Sequence, residues 1–196
     1  MPQSEFEKIY TRVLSRLKEL APALSYHCIE HTLDVLQQAT RVARDENVNE
    51  KELYLLKIAA LYHDTGFLYK YKDHESKSCE IFLEDSEQYN FKEGDKKIIV
   101  DLIMATRVPQ QPRTLLQKII CDADLDYLGR HDFDEIAGKL KTEFFNYGFV
   151  ADDADWHELQ KKFLENHSYH TSSSKLIREP IKKANLEKIK KKKSKD

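Results

Sequence analysis

Residues 53–66 read Leu-Tyr-Leu-Leu-Lys-Ile-Ala-Ala-Leu-Tyr-His-Asp-Thr-Gly. Leu53, Leu55, Leu56, Ile58, Ala59, Ala60 and Leu61 cover most of the circumference of a helix that begins near Asn49. A surface helix shows one apolar stripe, whereas a helix apolar nearly all round belongs in the middle of a core. Gly66 ends this run, and His63 and Asp64 stand at its C-terminal end.

Helical periodicity continues outward in both directions. Residues 4–20 place Phe6, Ile9, Tyr10, Val13, Leu14 and Leu17 on one side, and Pro22 then breaks the chain. A second helix is expected to about residue 46, capped by Ser25, with Ile29, Leu33, Val35, Leu36 and Ala39 apolar. After a Tyr- and Lys-rich loop over 67–73, further helices are expected near 75–85, 93–106, 112–128, 131–147, 152–167 and 173–192. Five Gly and five Pro in 196 residues are few, which favours long helices joined by short links. There is no internal repeat and no long polar linker. The expected fold is all-α: a single-domain helical bundle over residues 1–180, with 181–196 as a basic C-terminal helix end or tail.

Charge is unevenly spread. Residues 182–196 hold eight Lys against Glu187 and Asp196, a net of +6, so the rest of the chain carries 24 basic and 32 acidic residues, a net of −8. An acidic body argues against dedicated nucleic-acid binding, which needs basic groups along a working face. The tail reads as a solvated helix end, although its charge would also suit an anionic surface. Cys28, Cys79 and Cys121 are odd in number and without paired spacing, so they fit neither a disulfide framework nor a zinc knuckle. Reduced thiols and a cytoplasmic setting are expected. No signal peptide is read in residues 1–10, and no stretch reaches the roughly 20 apolar residues that span a bilayer. Self-association as a homo-oligomer is left open.

The chemistry-bearing residues lie at the ends of apolar runs. A carboxylate at the end of so buried a helix is expensive unless a cation relieves it. The dipeptide alone says little, because His131-Asp132 is also a His-Asp pair, placed after a Gly129-Arg130 turn where it reads as a polar helix start. His27 and His31 are spaced i, i+4, and each alone could be a core or surface histidine. Asp122, Asp124 and Asp126 follow the apolar Leu115, Leu116, Ile119 and Ile120. Three helices thus each bring a ligand type out of an apolar stripe. Two His and two carboxylates would suit Mn²⁺, Fe, Co, Ni or Zn better than Mg²⁺.

The strings HTLDVLQQA from His31, AALYHDTG around His63-Asp64 and ICDADLDYLG around Asp124 resemble, in this order, the HD superfamily of metal-dependent phosphohydrolases. The resemblance covers about residues 25–130. It implies the HD-type helical fold, with His31, His63, Asp64 and Asp124 as metal ligands. Asp124 is preferred to Asp122 because family members place the ligand after a small residue, here Ala123. One ion is expected, with two as the alternative. The string YHCIEHTLDV over 26–35 is similar to the metal region of cyclic-nucleotide phosphodiesterases, which read Tyr-His-Asn-x-x-His-x-x-Asp-Val. That similarity makes His27 a candidate acid for the leaving oxygen, beside the plainer reading of a histidine packed under the site. This chain has Cys28 where that pattern has Asn. His74, after Asp73, resembles the histidine that follows the pair in many members and would bind a second metal or a phosphate oxygen.

The implied activity is hydrolysis of a phosphomonoester or phosphodiester of a nucleotide-like small molecule. Asp64 would orient the water, and His27 or His74 would supply the proton. Lys70, Lys72, Arg107 and Arg130 are candidate phosphate contacts or plain solvent-facing charges. The rivals are a non-catalytic nucleotide-binding sensor and, with weaker support, a di-iron oxygenase needing further histidines. The strings 163–169 and 178–182 carry no chemistry derivable from the residues, and Trp156 reads as core.

Overall fold

The computed structural model describes residues 3–192. Among these, ten α-helices and two short 3-10 turns make a single all-α domain with no strand, as the periodicity predicts. At its centre is α3 (Glu50–Tyr62), in which Leu55, Leu56 and the continuous run Ile58–Tyr62 are buried. Asn49 caps it: its side chain accepts from the Glu52 backbone N–H while Glu52 reaches back. Around α3 stand α1 (Gln3–Leu17), α2 (Ile29–Asp45), α4 (His74–Ser86), α5 (Glu93–Ala105) and α6 (Leu115–Asp124). Their inward faces form the larger core, with Val13, Val35, Ile99, Leu102 and Ile119 fully buried.

A second, smaller core joins α7 (Phe133–Asn146), α8 (Asp153–Asn166) and α10 (Glu179–Lys192) to the 3-10 turn Asp126–Gly129, with the short α9 (Ser172–Ile177) packed outside it against α10 and α2. Tyr127, Phe133, Trp156, Leu164, Tyr169 and Ile189 fill it. Buried Asp126 clamps the two halves together, accepting from Arg41 at 3.0 Å and from Arg178 at 2.8 Å. Gly129 permits the contact: a Cβ there would lie 2.4 Å from the Arg178 carbonyl oxygen.

Besides the first helix, which ends at Leu17 rather than 20, and α6, which starts at Leu115 rather than 112, three boundaries differ from expectation with a visible cause. The second helix begins at Ile29, three residues later than a Ser25 cap would set it. Ser25 instead donates to the Lys139 carbonyl at 2.8 Å, and the Tyr26 and His27 N–H groups are taken by Glu143. Helix α6 stops at Asp124 because the Tyr169 hydroxyl donates to the Leu125 and Asp126 carbonyls, each at 3.2 Å. The last helix divides at Arg178, since Pro180 lacks the N–H a continuous helix would need. Lys182, Asn185 and Ile189 of α10 are buried, while residues 193–196 of the basic segment lie outside the described residues. None of the described helices is long and apolar enough to cross a membrane.

Candidate metal centre and its chamber

His63 caps the C-terminus of α3 and is fully buried. Its Nδ1 lies 2.9 Å from the Ala60 carbonyl and donates to it, so the neutral ring presents a lone pair at Nε2. That nitrogen faces Asp64 Oδ2 at 3.1 Å, His31 Nε2 at 3.4 Å and Asp124 Oδ1 at 3.6 Å. His31 Nε2, from the first turns of α2, lies 3.2 Å from Asp124 Oδ1 and 3.4 Å from Asp64 Oδ2. Asp64 Oδ2 is buried and has no hydrogen-bond partner. Two ring nitrogens and two carboxylate oxygens from three helices thus converge where a metal cation, or a proton on His63, offsets the buried negative charge.

The histidines and carboxylates also shift one another's charge. Burial alone would push the His63 pKa down, but Asp64 and Asp124 raise it well above the ordinary value. Burial would likewise raise Asp124, yet His31 and His63 pull it down to about 2. The set fits a divalent ion with nitrogen and oxygen ligands.

Asp122 is turned away from this group. Its carboxylate accepts from the His170 N–H at 2.7 Å and from both the N–H and the hydroxyl of Thr171, at 2.8 and 2.6 Å. It fixes the loop before α9, while Asp124 faces the histidines and is steadied by the Gln110 amide at 3.2 Å. Asp132 of the other His-Asp pair is exposed and bound to Arg130; it stands at the start of α7 without capping it.

His74 opens α4, donates from Nδ1 to the Tyr71 carbonyl at 3.1 Å, and presents Nε2 to Asp64 Oδ1 at 3.3 Å. The approach depends on Gly66, where a Cβ would stand 1.9 Å from the His74 carbonyl oxygen. His27 does not share a helix with His31, contrary to the i, i+4 reading. It lies in the bent segment before α2, its Nδ1 bonded to Glu143 Oε1. Glu143 also accepts from the backbone of Tyr26 and His27 at 2.9 and 3.0 Å and from the Tyr71 hydroxyl at 2.7 Å. Burial raises the Glu143 pKa, but these donors hold it below the ordinary value. Phe67 stacks on both imidazoles, its ring centroid 4.2 Å from His27 and 3.8 Å from His74.

His27, Asp64, His74 and Asp124 line one end of a chamber of about 370 Å³. Its far wall is apolar, with Phe144, Trp156 and Phe163 from α7 and α8. The candidate cations are placed elsewhere. Lys70 and Lys72 are exposed, Arg107 pairs with Asp73 and Glu75 at 3.3 and 3.4 Å, and Arg130 pairs with Asp34 at 2.6 Å. Glu143, Phe67, Tyr71 and Gln110 escape a reading of motifs. Glu143 alone left a signal: a carboxylate three residues after Leu140 and seven after Ile136, on the apolar face of α7.

A family model for the HD domain matches residues 28–126, just over half of the chain, and the chain belongs to this family of metal-dependent hydrolases. Among solved structures, it resembles a Lactobacillus plantarum protein with TM-score 0.70 and 19% identity over 100% of both chains. It also resembles Bacillus subtilis YpgQ, solved in complex with ADP, with TM-score 0.64 and 18% identity over 96% of both chains. A predicted HD superfamily hydrolase from an uncultured Thermotogales bacterium is similar with TM-score 0.56 and 24% identity, over 84% of this chain and 98% of that one. At these identities the likeness establishes the fold. No curated protein matches the sequence.

Proposed function

We propose that the chain is a metal-dependent phosphohydrolase cleaving a phosphomonoester or phosphodiester of a nucleotide-like small molecule. The observation that carries this is the convergence of His31, His63 and Asp124, with the unpartnered buried Asp64 Oδ2 at 3.1 and 3.4 Å from the two imidazoles, beside an aromatic-walled chamber. These four residues would hold one divalent ion, with Mn²⁺, Fe, Co, Ni or Zn favoured over Mg²⁺ by the two imidazoles. When bound, such an ion supplies a water of lowered pKa and neutralises phosphoryl oxygens.

The chain's own groups have distinct parts. Asp64 shows Oδ2 to the ligand cluster and Oδ1 to His74, so it can orient a water and accept its proton. His27, anchored through Nδ1 by Glu143, has Nε2 free to protonate a leaving oxygen. His74, also a chamber-lining group, is the second candidate donor. Phe67 packs against both rings and fixes their separation. The ADP bound to YpgQ supports a nucleotide-like substrate. Three unpaired thiols suit a reducing cytoplasmic setting.

The test is metal analysis of the purified protein, followed by a panel of phosphate esters assayed with Mn²⁺, Mg²⁺, Zn²⁺ and Co²⁺. Asp64→Ala should lose metal and activity together. His27→Ala should keep metal and turn over at least about 100-fold more slowly, the usual contribution of a general acid. Retention of both metal and activity by Asp64→Ala rejects the proposal.

A further inference from the structure

The chamber beside the metal-ligand cluster is chemically lopsided. One end carries three carboxylates, Asp64, Glu75 and Asp124, with His27 and His74. The rest is mostly apolar, its polar groups being the uncharged Tyr26, Thr106, Tyr127 and Gln160. No Lys or Arg is among the described residues that line it. Arg107, the nearest candidate in sequence, is committed to Asp73, Glu75 and Ser76. Lys162 lines an adjoining outer hollow, and its ammonium already lies 3.6 Å from Glu158.

Neutral donors are present instead. Tyr26 and Tyr127 line the chamber, and each carries a phenol hydroxyl. They can donate to uncharged oxygens such as sugar hydroxyls or esters. Facing them, Phe144 and Trp156 meet edge to face with centroids 5.9 Å apart, and Phe163 extends the same wall. Flat uncharged rings bind such walls by stacking and apolar burial.

We propose that this site selects a substrate with one phosphate on an uncharged aromatic body, such as a nucleoside monophosphate, over the corresponding di- and triphosphates. The inference rests on the phosphohydrolase reading for which group meets the metal. With the single phosphate at the metal end, the body fills the apolar chamber. A terminal phosphate of a longer chain at the same place would push further anionic phosphates along a wall with no cation. Uncompensated charge in such surroundings is strongly disfavoured.

Trp156 is the one tryptophan of the chain and lines the chamber, so its fluorescence reports binding whether or not turnover occurs. The experiment titrates Co²⁺-loaded protein, freed of excess ion, with AMP, ADP, ATP and ribose 5-phosphate, with calorimetry as a second readout. AMP should bind at least about 30-fold more tightly than ATP, or about 2 kcal/mol at 1.4 kcal/mol per tenfold. Ribose 5-phosphate should bind at least about tenfold more weakly than AMP. Leu159→Arg, at a partly exposed position of the wall, should narrow the AMP-to-ATP ratio by about tenfold. ATP binding as tightly as AMP, ribose 5-phosphate matching AMP, or no binding of AMP by either readout overturns the proposal. An AMP preference without hydrolysis of any ester would reject the phosphohydrolase reading and leave this one standing; hydrolysis with an ATP preference would do the reverse.

Discussion

Asp64→Asn tests the ligand cluster most sharply, because it changes charge without changing shape. In the native chain Asp64 Oδ2 is buried, lacks a hydrogen-bond partner, and faces His63 Nε2 at 3.1 Å and His31 Nε2 at 3.4 Å. A divalent ion bound only by the folded protein stabilises it by RT ln(1 + [L]/Kd), about 4 kcal/mol at a thousandfold excess over Kd. For a domain of this size each kcal/mol moves Tm by about 2–4 °C, so saturating Co²⁺ or Mn²⁺ should raise Tm by roughly 8–16 °C. In the variant the amide can donate to His63 Nε2, so metal-free stability should change by no more than about 1–2 kcal/mol. The metal-induced shift should fall to a degree or two. Asp122→Asn is the matched control: it disturbs a buried carboxylate holding three donors from His170 and Thr171 and should cost about 1–3 kcal/mol. Its metal-induced shift should nonetheless survive. Differential scanning fluorimetry of the metal-free and metal-loaded proteins reads all of this. A full shift in Asp64→Asn, or its loss in Asp122→Asn, refutes the assignment of ligands.

Three further outcomes are expected. Gly66→Ala sets a Cβ 1.9 Å from the His74 carbonyl oxygen, a backbone atom that cannot swing aside, so urea unfolding should show a loss of at least about 2 kcal/mol and turnover should fall with the displaced His74. Glu143→Gln removes the carboxylate that orients His27 and should lower kcat at least about tenfold while leaving metal content unchanged. Because donors to the charged form depress the folded pKa of Glu143, its contribution to stability is present above the ordinary value of 4.5 and lost as pH falls through the folded value; urea midpoints should therefore fall less steeply with acid in Glu143→Gln. Burial and the Lys182 ammonium push the His167 pKa down to about 3 from 6.5, so the unfolded chain takes up the proton first. Stability should be full above about pH 6.5 and fall by at most about 2 kcal/mol by pH 5, a slope that His167→Leu should reduce in the same unfolding series.

Local pattern was enough for the helical class, for the central place of α3, and for the order in which candidate ligands leave apolar runs. Period-3.6 apolar spacing acts between near neighbours, so the residues from Leu53 to Leu61 report their own burial. The choice between Asp122 and Asp124 is not local. Both end the same buried helix, and what separates them is that the loop at His170 and Thr171, nearly fifty residues later, supplies donors to one and not the other. The start of α2 is decided in the same way, by a Glu143 carboxylate more than a hundred residues away that takes the N–H groups a longer helix would use. The chamber wall, from Phe144, Trp156 and Phe163, reads in one dimension as ordinary core. It becomes a wall only when α7 and α8 dock beside the ligand cluster, because a cavity is a relation between surfaces that no single stretch of chain contains.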